Sequence, residues 1–308
     1  MVIDLRKYLG VSHTRDLHLL ALEIAAIHKT GQPIILEQHN EGFDIVETGL
    51  EEAVKDCADN LAIPYSRIKF RSTDRLTKSK VFSHEYNKHK LLWTYMSRNV
   101  DFTDFTIPEK TCYALLLGRA SNERLYAFSI SKKQNSIRTC HLNTRDIAEH
   151  DSDFTQFICE HNSKWQQLKD CLPYSDIGEY IKPPIDFGKF HERQFWANFY
   201  RNVSIEVVCE TNTTPNTFFM SEKTLRPIAY GRLFLIFGSP EYEKNLKKLG
   251  FDIFEDILDK TYDSNSGYMR VDGVFTSLQK YMTNPVDYST IIDRLKNNQK
   301  RLLEIANE

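Results

Sequence analysis

Val203-Ser204-Ile205-Glu206-Val207-Val208-Cys209 is followed, after the connection Glu210 to Thr217, by Ser221-Glu222-Lys223-Thr224-Leu225-Arg226-Pro227-Ile228-Ala229-Tyr230-Gly231-Arg232 and then Leu233-Phe234-Leu235-Ile236-Phe237. Two short stretches rich in β-branched, aliphatic and aromatic residues flank a segment that opens on a good helix N-cap, Ser221. Strand, connection, helix and strand in that order make a β-loop-α-β unit. Upstream, Cys112-Tyr113-Ala114-Leu115-Leu116-Leu117 is a further apolar strand. It runs into Gly118-Arg119 and a helix from about Asn122, and it reads as the first strand of the same domain.

Toward the N-terminus the alternation repeats. Leu17, Leu20, Ile24 and Ile27 recur at helical spacing, Gly31-Gln32-Pro33 stops the helix, and Ile34-Ile35-Leu36 is a strand. Leu50, Ala53, Val54 and Cys57 mark a second helix, Ile63-Pro64 ends it, and Arg67 to Phe70 form the next strand. Such alternation predicts a parallel sheet covered by helices. His84 to Arg98 reads as a polar, aromatic helix, and Asp101-Phe102-Thr103-Asp104-Phe105-Thr106-Ile107-Pro108 has no regular period. The domain boundary is placed there, between an N-terminal domain of residues 1–105 and a C-terminal domain of residues 106–308 with terminal helices. Residues 151–188 are polar and broken by Pro173, Pro183 and Pro184, so short helices and loops are expected. In the tail, Tyr288, Ile291, Ile292, Leu295, Leu302, Leu303 and Ile305 share one helical stripe, which is expected to pack back on the protein rather than on a membrane.

At 308 residues the chain exceeds the usual size of one domain, and 41% hydrophobic residues suffice for packed cores. Forty Lys and Arg against 42 Asp and Glu leave a net charge of −2, so there is no global field to hold a polyanion. No run approaches the roughly 18 apolar residues of a membrane span, and Met1 to Gly10 lacks the apolar core of a secretory signal, so a cytoplasmic protein is expected. The six cysteines are scattered without a C-x-x-C pair and read as reduced core residues. His13 and His18, like His84 and His89, are five apart, which is the wrong spacing for one helical face, and no metal site is expected.

The chemistry concentrates at the helix start. Ser221 opens a helix whose first N–H groups and partial positive charge welcome an anion. Lys223 in that first turn runs against the dipole, a local conflict that an anion beside it would relieve. The stretch Ser221-Glu222-Lys223-Thr224-Leu225-Arg226-Pro227-Ile228-Ala229-Tyr230-Gly231-Arg232-Leu233-Phe234-Leu235-Ile236-Phe237-Gly238 resembles a glycosyltransferase family found widely in phage genomes, whose Glu-Lys motif is similar to that of GT-B fucosyltransferases. The likeness extends to Leu117-Gly118-Arg119 with Glu123-Arg124-Leu125, to Leu249-Gly250-Phe251-Asp252-Ile253-Phe254, and to Asp259-Lys260-Thr261-Tyr262-Asp263. It covers most of residues 111–280, with Ala120 in place of the usual Pro and Arg232 ahead of Leu233; residues 1–105 match only in general layout.

The resemblance implies a GT-B fold: two Rossmann-like domains facing a cleft, the donor held mainly by the C-terminal one, and the final helix free to cross back to the first. It implies that Glu222 holds the ribose hydroxyls of a nucleotide-sugar and Lys223 its diphosphate, with Arg119 and Arg124 adding charge. Glu210, Asn212, Ser221, Thr224, Tyr262 and Asp263 are grouped with them as donor-binding residues. Charge grows on the leaving phosphate as the glycosidic bond breaks, and two or three cations placed there do the work of a metal, so no cofactor is expected beyond the donor substrate.

Asp151-Ser152-Asp153 follows no strand and reads as a helix cap rather than the metal-binding D-x-D of GT-A enzymes. The absence of G-x-x-x-x-G-K-[ST] and of G-x-G-x-x-G withdraws support from nucleotide hydrolysis and dinucleotide redox chemistry. An inverting transfer needs a general base on the acceptor side, in the N-terminal domain. Glu37, His39 and Glu41 follow the strand Ile34-Ile35-Leu36 at a C-terminal strand end and are the candidates, with Arg71 and Asp74 weaker. The expected acceptor is a glycan or a hydroxymethylated pyrimidine in phage duplex DNA. Arg67, Lys69, Arg71, Arg75, Lys78, Lys80, Lys88, Lys90, Trp93 and Tyr95 offer a local DNA face, with a solvated surface as the other reading. The alternative function is a non-catalytic nucleotide-sugar-binding protein.

Overall fold

The computed structural model describes residues 1–5, 8, 17–38, 49–72, 79–86, 105–109, 111–117, 122–131, 136–140, 174–175, 193–210, 213 and 215–307. The protein is α/β, with two sheets of mainly parallel strands, and it divides into two compact units. The first comprises Met1–Trp93 with Thr214–Ser221, the second Thr94–Thr213 with Glu222–Glu308. Among the described residues no helix is long and apolar enough to cross a membrane.

The first unit runs β1 (Val2–Asp4), α1 (Leu17–Lys29), β2 (Ile34–Glu37), α2 (Leu50–Asn60), β3 (Ile68–Ser72) and β4 (Ser83–Tyr86). Its sheet is parallel throughout, in the order β1-β2-β3-β4. Leu20, Ile24 and Ile27 of α1 and Leu50, Val54 and Ala58 of α2 pack with Ile34, Leu36, Ile68 and Phe70 from alternate strand positions. Full burial of each large aliphatic or aromatic side chain contributes roughly 1.5–3 kcal/mol. Gly31, at φ 74°, turns the chain out of α1 ahead of Pro33, as the sequence predicts. The expected helix from His84 gives way at Ser83–Tyr86 to strand β4, because pairing with β3 outweighs local helical spacing; the remainder of that helix lies outside the described residues.

Strands in consecutive order, joined by crossovers of one hand, place their helices on one face, and α1 packs against α2. The opposite face carries a row of charged residues among the described positions. Register aligns Asp4, Glu37, Arg71 and Glu85 across the four strands, with side-chain exposures of 12% at Glu37, 27% at Arg71 and 47% at Glu85.

The second unit holds β5 (Tyr113–Leu117), α3 (Asn122–Ser131), β6 (Ser136–Cys140), β7 (Tyr174–Ser175), α4 (Arg193–Tyr200), β8 (Ile205–Cys209), α5 (Glu222–Ala229), β9 (Leu233–Phe237), α6 (Tyr242–Lys248), α7 (Gly267–Thr283) and α8 (Ile292–Asn307). The strand order is β7-β6-β5-β8-β9, parallel except for β6 with β7. Every residue of β5, β8 and β9 is buried, as expected of strands covered on both faces. The chain leaves β5 for β6 on one side and returns to β8 on the other, so the order reverses between β5 and β8. Carboxyl ends of strands at such a reversal are where α/β sheets place their ligands.

Helix α5 packs on β8, β9 and α8, so the terminal helix is built into the second unit. Gln299 of α8 donates to the Ala229 carbonyl (2.7 Å) and Arg301 to that of Leu249 (2.6 Å). Arg232 is a buried structural cation. It donates to the carbonyls of Tyr200 (2.6 and 2.8 Å), Tyr230 (2.9 Å) and Gly231 (3.0 Å) and to Thr106 Oγ1 (3.0 Å). Among the described cysteines, Cys112 and Cys209 are buried and reduced and Cys57 is half-buried and reduced.

Candidate functional site

The reversal point gathers the first turns of α3 and α5 at the end of β8. Arg124, the third residue of α3, is buried and donates Nη2 to the backbone oxygens of Glu210 (2.9 Å) and Cys209 (3.4 Å). Lys223, the second residue of α5, is half-buried. Burial pushes the Cys209 thiol up to about 12, and Arg124 and then Lys223 act against that push, so both cations lie within electrostatic reach of one strand end. With two helix N-termini at the same edge of the sheet, this is the anion-favouring pole of the second unit.

Glu210 joins these pieces. Its carboxylate accepts from Thr224 Oγ1 (2.5 Å) and Tyr242 Oη (3.2 Å), and its N–H donates to the Phe237 carbonyl (2.9 Å). Glu222 is half-buried in the first turn of α5, and buried Ser221 precedes it in the chain. Thus Arg124, Glu210, Glu222, Lys223 and Thr224 come together, while Arg119 and Asn212 lie outside the described residues.

Tyr262 and Asp263 have another place. β9 is an edge strand, and its outward backbone groups are taken up by side chains. Lys260 donates to the Phe234 carbonyl (2.9 Å) and Arg270 to that of Ile236 (3.1 Å), while the Ile236 N–H donates to Glu243 Oε1 (3.1 Å) and Tyr262 Oη (3.2 Å). Asp263 pairs with Arg270 (2.6 Å) and accepts from the Glu243 (3.1 Å) and Lys244 (2.9 Å) N–H groups at the start of α6. Side chains thus occupy these backbone groups of the edge strand in place of another strand. Burial raises the Glu243 carboxyl and lowers the Lys260 ammonium, and their 2.8 Å ion pair opposes both shifts.

In the first unit Glu37 ends β2 and pairs with Arg71 (3.1 Å); His39 and Glu41 lie outside the described residues. Arg71 also reaches Glu85 (3.5 Å), as does Lys69 (3.4 Å). Arg67 is engaged by the Gln32 carbonyl (2.7 Å) and His28 Nδ1 (3.1 Å). These contacts engage Arg67, Lys69 and Arg71 of the expected DNA face, while Arg75, Lys78, Lys88, Lys90, Trp93 and Tyr95 lie outside the described residues.

Two arrangements escaped the sequence reading. Buried Ser72, the last residue of β3, hydrogen-bonds His84 Nε2 (3.1 Å), which no local spacing announces. Glu206, buried in β8, accepts from Tyr200 Oη and lies 4.0 Å from Arg226, whose guanidinium covers Trp196 at 4.4 Å. A carboxylate inside an apolar strand was the visible signal there. Among the described residues no three His, Cys, Asp or Glu side chains group as a metal-ligand set. No protein-family model, curated protein or solved structure matches the chain.

Proposed function

We propose that the protein is a glycosyltransferase of the GT-B type that moves a sugar from a nucleotide-sugar to a hydroxyl acceptor, with inversion, without a metal, and in the cytoplasm. The observation that carries this reading is that Arg124 and the first turn of α5, which bears Lys223, are both tied to Glu210 at the end of β8, where the strand order reverses. Breaking the glycosidic bond leaves negative charge on the nucleoside diphosphate, and preorganised cations in a partly dry site stabilise it more than they stabilise the ground state. Lys223 carries the diphosphate and Glu222 the ribose. Arg124, held by two carbonyls, contributes a fixed positive charge behind them.

The acceptor hydroxyl loses its proton to a base, for which Glu37, His39 and Glu41 are the proposed set. The acceptor is a glycan or a hydroxymethylated pyrimidine in DNA, and the salt dependence of duplex binding separates the two. Incubation with a panel of nucleotide-sugars, followed by release of the nucleotide, tests the reading. One donor is expected to be consumed, and Lys223→Met is expected to slow its consumption by ~100-fold. Undiminished turnover in Lys223→Met removes the proposed role of that residue, and tight binding without any turnover of any donor leaves a nucleotide-sugar-binding protein instead.

A further inference from the structure

Glu210 hydrogen-bonds to four different elements. Its N–H goes to Phe237 at the end of β9 (2.9 Å), its backbone oxygen accepts from Arg124 of α3 (2.9 Å), and its carboxylate accepts from Thr224 of α5 (2.5 Å) and Tyr242 of α6 (3.2 Å). Thr224 Oγ1 and Tyr242 Oη are themselves 3.0 Å apart, which closes a triangle. All three side chains are buried, with Glu210 at 2%, Thr224 at 0% and Tyr242 at 1% exposure. Gly238 leaves the room this needs, since a Cβ there would stand 3.0 Å from the Tyr242 ring.

A carboxylate costs several kcal/mol to bury and is tolerated where donors satisfy it. Two hydroxyls on one carboxylate oxygen, with neighbouring backbone bonds on both sides, hold the strand end and the first turn of α5 in a single geometry. Lys223 immediately precedes Thr224, so the bond that fixes Thr224 fixes the backbone from which Lys223 extends. The Glu210 carbonyl in turn fixes Arg124.

Resting on the donor reading above, we propose that Glu210, with Thr224 and Tyr242, is the positioning device of the diphosphate site: it sets Arg124 and Lys223 relative to each other without touching the nucleotide-sugar. The assignment replaces direct donor contact by Glu210 and Thr224 with action through the two cations.

The test is a double-mutant cycle on the full chain, with UDP, GDP, ADP and CDP titrated calorimetrically and the accepted nucleotide-sugar turned over. Thr224→Val is expected to weaken diphosphate binding by ~10-fold and to lower kcat, Thr224→Ser to restore both, and Thr224→Val to add almost nothing in a Lys223→Met background. Equal affinity and kcat in Thr224→Val, or losses that simply add to those of Lys223→Met, overturn the positioning role while leaving the donor site intact. If the unaltered protein binds none of the four diphosphates, the donor reading falls and this proposal with it. Should Thr224→Val fail to fold, Tyr242→Phe serves in the same cycle with the same expected non-additivity.

Discussion

A carboxylate in an otherwise apolar strand stays folded in only because its surroundings meet it. Glu206 accepts a hydrogen bond from Tyr200, whose ring stacks on Tyr230 at 4.8 Å, and it faces Arg226 across 4.0 Å. Burial raises its carboxyl to about 7, against the pull of Arg226 and the Tyr200 bond, with Glu210 adding a smaller upward push. The folded protein therefore keeps a proton on Glu206 at pH values where the unfolded chain has released it. Stability from this group is fully present below about pH 4.5 and is lost as the pH rises through about 7, by roughly 3 kcal/mol in all. Glu206→Gln keeps an acceptor for Tyr200 and removes the titration. Urea unfolding midpoints at pH 5 and pH 8 are expected to favour the variant at pH 8 and to bring the two proteins close together at pH 5; an unchanged difference between the two pH values would refute the account.

At the scale of elements, α5 depends on how it stops. Gly231 sits at φ 60°, its N–H donates to Ile228 (3.1 Å), and the Arg232 N–H reaches back to Pro227 (2.8 Å), the paired bonds of a left-handed helix end. A Cβ on residue 231 would stand 2.4 Å from the ring of Phe105. Gly231→Ala combines a backbone penalty of about 1–2 kcal/mol with overpacking of similar size, so a loss of about 2–4 kcal/mol is expected in chemical denaturation. A loss under about 0.5 kcal/mol would mean that this helix end reforms in another way. The edge of β9 carries a second element-scale lesson. Asp259 to Asp263 resembles a glycosyltransferase motif in sequence, yet Lys260 and Tyr262 spend their polar atoms on the backbone of an edge strand and on Glu243.

Across the whole molecule, a net charge of −2 and the paired cations of the first unit set an expectation about partners. Each phosphate neutralised contributes a slope of about −0.9 to the dependence of log affinity on log salt. Binding to duplex DNA is expected to be weak, with a slope no steeper than about −2, in a filter or anisotropy titration between low and physiological salt. A slope near −5 or beyond would instead reveal a cationic face and favour DNA as the acceptor.

What the sequence by itself determined is whatever its near neighbours encode. The apolar runs of β5, β8 and β9, the spacing of Leu20, Ile24 and Ile27 in α1, and the Gly31 stop are written within a few residues each. The parallel α/β class and the helix start at Glu222 follow from them. Strand β1, the β6–β7 edge and the strand at Ser83–Tyr86 were not legible, because short strands are fixed by their partners rather than by their own pattern. Only the tertiary structure decided the reversal of strand order between β5 and β8, the meeting of Arg124 with Glu210 across 86 positions of chain, and the use of Tyr262 to close an edge. Hydrogen-bond partners far apart in sequence are chosen by the packing of whole elements, and no local spacing records that choice.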